Sequence, residues 1–102
     1  MTVIWKYPLD IQYQQGVAMP RGAKILRTGL MQYDDDTGTP LISIWAMVEP
    51  NVERVNRRIY IRGTGGELPL ELNGETQFHI ATVPMVVSGR TLIWHVFDGG
   101  ER

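Results

Sequence analysis

The sequence predicts an all-β protein: a single-domain antiparallel sandwich, or a small partly open barrel, of six to seven strands across residues 1–102. Three observations lead there. β-Branched and aromatic residues gather in short runs of strand length. Turn chemistry separates those runs at regular intervals. No segment carries apolar residues at helical spacing for more than one turn.

Val3 to Tyr7 reads as the first strand, stopped by Pro8. Asp10 to Gln14 is a short extended piece, and Met19-Pro20-Arg21-Gly22 is turn chemistry. Ala23 to Tyr33 is a long strand in which Gly29 marks a bulge or bend. Asp34-Asp35-Asp36-Thr37-Gly38 is a hairpin loop, with Gly38 able to take positive φ. Pro40 opens the next strand, Leu41 to Val48. Its two faces, Ile42-Ile44-Ala46-Val48 and Leu41-Ser43-Trp45-Met47, are both largely apolar, which makes it central or covered on both sides. Glu49-Pro50-Asn51 ends it, and residues 52–54 have room for one helical turn. Val55 to Arg62 is a strand, and Gly65 to Gly74 is loop, closed by the turn-forming pair Asn73-Gly74. Thr76 to Val87 reads as a strand interrupted at Pro84. Ser88-Gly89-Arg90 is a tight turn, Thr91 to Phe97 the last strand, and Asp98 to Arg102 a frayed tail.

Composition narrows the function classes. A net charge of −1 argues against binding duplex nucleic acid, which calls for a basic footprint. The chain has no cysteine, so it uses neither disulfides nor thiolate chemistry and suits a reducing cytoplasm. No signal-peptide pattern is visible, and no apolar run approaches the ~20 residues of a membrane span.

The most informative stretch is Val55 to Gly66. Alternation places Val55, Arg57, Ile59 and Ile61 on one strand face and Asn56, Arg58, Tyr60 and Arg62 on the other. The second face carries two guanidinium groups with a phenol between them, followed by the glycine-rich turn Gly63-Thr64-Gly65-Gly66. Arginine, an aromatic ring and accessible amides suit a small anion that also has a flat ring, such as a nucleotide. The same residues also suit a plain reading: solvated arginines on an exposed strand before a hairpin turn.

Catalytic readings find little to stand on. His79 and His95 lie on different strands and match no zinc-ligand spacing. Ser43 and Ser88 are in no nucleophile-elbow context. The glycine turn is neither a Walker A loop nor a dinucleotide fingerprint. No enzyme activity, metal or cofactor is expected, and each histidine reads as a strand residue with a hydrogen-bond partner. Among the rings, Trp94 shares its face with Leu92 and Val96 and reads as core, while Trp45 and Met47 could line an oligomer interface.

Ile4-Trp5-Lys6-Tyr7-Pro8-Leu9 resembles the opening of a family of small bacteriophage proteins. The likeness continues in Met19-Pro20-Arg21-Gly22-Ala23-Lys24-Ile25-Leu26, Ile44-Trp45-Ala46-Met47-Val48, Ile61-Arg62-Gly63-Thr64-Gly65 and Trp94-His95-Val96-Phe97, over nearly the whole chain and in family order. The family pattern has His-Pro soon after the Gly-Thr-Gly block, where this chain has Gly66-Glu67-Leu68-Pro69; ligand choice is open to change there. The family in turn resembles phage immune-evasion proteins called nucleotide sponges. Those are homo-oligomers that sequester cyclic nucleotide signals of bacterial defence, such as cyclic GMP–AMP or cyclised ADP-ribose derivatives. The resemblance implies binding without chemistry, a homo-oligomer (dimer or tetramer), and action in the cytoplasm of the infected bacterial host.

Joined to the strand-face reading, it gives the candidate ligand-binding set Trp5, Tyr7, Arg58, Tyr60, Arg62, Gly63, Thr64 and Gly65. Arg58 and Arg62 would hold phosphate oxygens. Trp5, Tyr7 or Tyr60 would stack on a base, and Thr64 with the glycine amides would bind phosphate or ribose. The rival readings are inhibition of a host protein through a surface containing Trp45 and Met47, an enzyme that degrades the nucleotide, and a minor virion component.

Overall fold

The computed structural model describes residues 1–72, 74–75 and 78–102. Seven antiparallel strands form two sheets: β1 (Val3–Asp10), β2 (Gln14–Pro20), β3 (Lys24–Tyr33), β4 (Pro40–Val48), β5 (Arg54–Gly63), β6 (His79–Val87) and β7 (Arg90–Glu101). One sheet has the order β1-β4-β3 and the other β2-β5-β7-β6, with no closed barrel. Leu70–Leu72 forms a 3₁₀ turn, and among the described residues no helix is long and apolar enough to cross a membrane.

The core lies between the sheets. Ile42, Ile44, Ala46 and Val48 of β4 meet Ile59 and Ile61 of β5, Val96 of β7 and Ile80 and Val83 of β6. Each fully buried side chain of this size contributes about 1.5–3 kcal/mol. β4 is the central strand of its sheet, as its two apolar faces require. Its outer face is partly covered: Ser43 is buried and donates to Gln32 Oε1 at 2.6 Å, while Trp45 and Met47 are half-buried.

Local turn chemistry matches the sequence reading. In the β3–β4 loop the Asp34 carboxylate accepts from the Thr37 and Asp36 N–H groups at 3.0 and 2.9 Å, which holds its carboxyl below the ordinary range, and Gly38 takes φ +70°. Ser88 and Gly89 both have positive φ in the two-residue β6–β7 hairpin. Gly29 lies at a register shift in β3. A Cβ there would stand 2.9 Å from Ala81 Cβ, so its missing side chain lets β3 and β6 approach along one side of the sandwich.

Several sequence expectations are corrected. β1 runs through Pro8 to Asp10, and β6 runs through Pro84. Both are edge strands, where a missing N–H can face away from the partner. The piece expected from Asp10 to Gln14 is instead the end of β1 at Asp10, a connection over 11–13 and, from Gln14, a seven-residue strand, β2, that includes Met19 and Pro20 of the expected turn; β2 is held by pairing with β5. No helical turn forms at 52–54. The chain turns earlier, with Val52 N–H donating to the Glu49 carbonyl at 3.1 Å, and Arg54 is already in β5. The expected start of the β6 strand at Thr76, and Asn73 of the expected tight turn, lie outside the described residues; Gly74 has φ +67°.

The largest correction is the C-terminal tail, which is strand to Glu101. Arg57 fixes it. Its Nε and Nη2 donate to Asp98 Oδ1 and Oδ2 at 2.9 and 2.7 Å, and its Nη1 donates at 2.9 Å to the carbonyl of Ala23, in the β2–β3 connection just before β3. Burial alone would raise the Asp98 carboxyl, but the Arg57 fork, the Gly100 N–H and the Arg57 charge outweigh it and hold the carboxyl below its ordinary value.

A carboxyl lowered in the native state adds stability that is complete above its unfolded value, about 3.9, and is lost as pH falls through the lower native value. Asp98→Asn should therefore cost about 3 kcal/mol at neutral pH, because it leaves a largely buried guanidinium with only the Glu101 carboxylate, at 4.0 Å, as counter-charge. Its urea midpoint should also fall less steeply on acidification than that of the parent. Parallel acid slopes for the two proteins would show that the pair does not hold the tail.

Candidate functional site

β5 leaves the sandwich through Ile61, Arg62 and Gly63 into a four-residue turn. Gly66 N–H donates to the Gly63 carbonyl at 3.0 Å, and Gly65 has φ +91° at the third position, which a turn of this type reserves for glycine. The Gly66 amide is thus spent on closing the turn.

Arg62 is only 4% exposed. Its Nε donates to the Glu67 carbonyl at 2.8 Å, and its Nη1 donates to the carbonyls of Tyr13 and of Ile61. The guanidinium carbon stands 3.2 Å from the centroid of the Tyr13 ring and 5.4 Å from that of Tyr60. Ile61 N–H also donates to the Tyr13 carbonyl. One side chain therefore ties the β1–β2 connection to the turn after β5. Among the described residues no carboxylate lies within ion-pair distance of Arg62. A nearly buried cation is satisfied by carbonyl dipoles and a ring face, and its charge is left uncompensated.

Beside it is a hollow of about 370 Å³. Ile11, Ile61 and Trp94 give it apolar walls, and Arg62, Gln12 and Tyr13 a polar side. Gly63 leaves it open, while a Cβ on Gly66 would stand 3.1 Å from the Gly63 carbonyl oxygen. A Cβ on Gly63 would meet only Trp94 Cζ3, at an ordinary 3.7 Å, so the absent side chain exposes the benzo edge of the indole. The Trp94 N–H is buried and has no partner among the described residues.

A polar chain crosses the outer face of the four-stranded sheet next to the turn. Thr64 Oγ1 is 3.0 Å from His95 Nε2, His95 Nδ1 is 3.1 Å from Thr82 Oγ1, and Thr82 Oγ1 is 2.9 Å from His79 Nε2. Each histidine thus has the hydrogen-bond partner expected of a strand residue. Among the described residues no three His, Asp or Glu side chains gather in a way that could hold a metal ion.

The candidate residues divide into three places. Arg62 and Gly63 form the hollow, with Thr64 and Gly65 in its turn. Arg58 and Tyr60 lie on the same outer face but are engaged elsewhere. Tyr60 is 1% exposed and donates its hydroxyl to Glu71 of the 3₁₀ turn. Burial and then the hydrogen bond to Glu71 push the phenol up, and a hydrogen bond from Arg58 opposes them. The Glu71 carboxyl is lowered, first by the hydrogen bond from Tyr60 and less by the Arg102 and Arg58 charges. Tyr60 therefore has no free ring face for a base, and Arg58 is partly committed to this cluster. Trp5 and Tyr7 are further away still. They point between the sheets against the core, with Arg54 over the Trp5 ring at 5.5 Å and the buried Tyr7 hydroxyl raised by desolvation.

Tyr13, Ile11 and Gln12 were not legible as site residues, because only the β2–β5 pairing brings them to the turn. Trp94 was read as core; it packs on the core with its benzo edge on the hollow.

Arg62→Ala should cost about 3 kcal/mol in urea unfolding, since it removes the donors for three carbonyls and the stacked cation. Arg62→Lys keeps the charge but cannot span those carbonyls, and should recover less than half of the loss. Full recovery by lysine would mean that charge alone, and not the fork, holds the β1–β2 connection.

No curated protein and no solved structure matches the chain. A family model, described as a domain of unknown function (DUF7352), matches residues 1–102, and the chain belongs to that family.

Proposed function

We propose that the protein is a bacteriophage immune-evasion protein that binds a cyclic nucleotide signal and holds it without cleaving it. The ligand would be a cyclic dinucleotide such as cyclic GMP–AMP, or a cyclic ADP-ribose derivative. The observation that carries this reading is the uncompensated Arg62 charge at the wall of a hollow that also offers the Trp94 ring edge beside Gly63. An anion beside Arg62 would offset the cost of burying that charge, and a flat ring would cover Trp94. The sequence blocks that resemble phage proteins support it independently.

The size of the hollow adds a constraint. At about 370 Å³ it is near the lower end for small-molecule sites, which run from roughly 300 to 1,000 Å³. It suits one base-and-sugar unit, so a larger ligand would extend outward or onto a second subunit of a dimer or tetramer. Sequestration in the cytoplasm of an infected bacterium needs tight binding and no turnover, which fits a site built from a cation, rings and backbone.

A second reading has its own observation. The outer face of the three-stranded sheet carries Ile4 and Leu30, 59% and 51% exposed, beside half-buried Trp45 and Met47. That face suits contact with a host protein.

Gly63→Val separates the two. The position has ordinary φ and open space, so the fold should tolerate the change while the side chain fills the hollow. Isothermal titration of the parent with a panel of cyclic dinucleotides and cyclic ADP-ribose species should give binding heat with at least one. Gly63→Val should weaken that binding at least tenfold, and heat denaturation of the complex should release the ligand intact. Absence of heat with every member, or a cleaved product, would overturn the reading.

A further inference from the structure

A guanidinium has five N–H donors, and the sandwich uses three of those on Arg62. Nε–H goes to the Glu67 carbonyl, and Nη1 serves the carbonyls of Tyr13 and Ile61. Nη2 has no hydrogen-bond partner among the described residues. It is not sealed in: the side-chain polar atoms that are buried there without a partner are the Tyr7 hydroxyl and the Trp94 N–H. The 4% of Arg62 that reaches water therefore includes Nη2, which leaves one end of the fork to an anion.

Tyr13 is the other half of the arrangement. One face of its ring lies on the guanidinium, with the centroid 3.2 Å from Cζ, yet the residue is 65% exposed, so the opposite face looks into solvent. Its backbone is tied down. The Tyr13 carbonyl accepts from Ile61 N–H at 3.3 Å and from Arg62 Nη1, and Gln12 N–H and Gln15 Nε2 both donate to the Asp10 carbonyl, at 2.9 and 2.7 Å. An exposed ring on a short, tied connection loses little freedom when something covers it. Tyr33 is nearly as open, but none of the cation–ring contacts among the described residues involves it.

We infer that Tyr13 is the base-stacking residue of the site: a purine lies on its exposed face while a phosphate oxygen accepts from Arg62 Nη2. The cation behind the phenol draws electron density away from the exposed face, which strengthens stacking of an electron-rich purine there. The spacing fits a nucleotide. A ring in van der Waals contact with Tyr13 would stand about 7 Å from the guanidinium carbon, a span that one ribose covers between base and 5′-phosphate as it passes the ring edge. Trp94 presents its benzo edge to the hollow and Tyr13 a whole ring face, so Tyr13 is the better platform, and Trp94 is left for a second ring of a larger ligand. The inference rests on the reading of the hollow as a nucleotide site.

The test uses guanosine 5′-monophosphate and the intact protein. NMR of the tyrosine ring protons should show the Tyr13 signals moving upfield on titration, as a stacked purine requires. Uridine 5′-monophosphate should move them less, and inorganic phosphate should give no upfield shift. Tyr13→Phe and Tyr13→Leu both keep the main-chain carbonyl that Arg62 binds, so their folded spectra should match that of the parent. Tyr13→Phe should hold the guanosine monophosphate affinity within about threefold, whereas Tyr13→Leu should weaken it about tenfold or more, the loss expected of one base stack. Tyr13 signals that do not move upfield, or equal affinity in the parent and Tyr13→Leu, would overturn the inference. A protein that binds a cyclic nucleotide equally well after Tyr13→Leu fails this inference alone; one whose Tyr13 takes guanosine monophosphate but which binds no cyclic nucleotide fails the sequestration reading alone.

Discussion

The architecture turns on one buried cation. Arg62 lies in the outer face of a sheet, almost out of water, with carbonyls and rings for partners in place of a carboxylate. Two segments far apart in the chain, brought together by the β2–β5 pairing, both give it acceptors: the Tyr13 carbonyl before β2, and the Glu67 carbonyl after β5. The space they enclose is the hollow at the glycine turn. A guanidinium suits this role because its planar fork can reach several carbonyls at once and still present a face to a ring. Its uncompensated charge is at once the structural liability of this corner and the feature that would draw an anion to it.

The two ends of β5 show how charge is handled differently within one strand. At the Arg57 end, the guanidinium meets Asp98 in a bidentate pair and reaches Ala23, so the tail and the β2–β3 connection are tied to β5 and the charge is neutralised. At the Arg62 end no such acid is present among the described residues, and Gly63 leaves space beside the Trp94 edge. One end of the strand is built to close, and the other is left open with a standing positive field. The hydrogen bonds from Thr64 through His95 and Thr82 to His79 run from the open end across β7 to β6.

What was legible in the sequence was local. The two-sided apolar pattern of β4, the bulge at Gly29 and the Ser88-Gly89 hairpin follow from side-chain alternation and from where glycine is required. What was hidden depended on neighbours. Gln14 to Pro20 has little strand propensity and becomes β2 by pairing with β5. Asp98-Gly99-Gly100 looks like a loose end until Arg57 clamps it. Pro8 and Pro84 look like breaks because an edge position cannot be read from one strand. The site shows the same division. Alternation placed Arg58, Tyr60 and Arg62 on one face, which is correct, but it could not show that Glu71 would occupy Tyr60 or that Tyr13 would stack on Arg62. Trp5 and Tyr7, chosen for ring chemistry, point inward because β1 turns its Val3-Trp5-Tyr7-Leu9 face to the core.

The most direct measurement of the Arg62 claim is side-chain ¹⁵N NMR of its Nε–H group in the unliganded protein. A guanidinium held by the Glu67 and Tyr13 carbonyls should give an Nε–H signal strongly protected from exchange with water, with nuclear Overhauser contacts to the Tyr13 ring. An Nε–H that exchanges as fast as those of surface arginines, with no contact to Tyr13, would contradict the account.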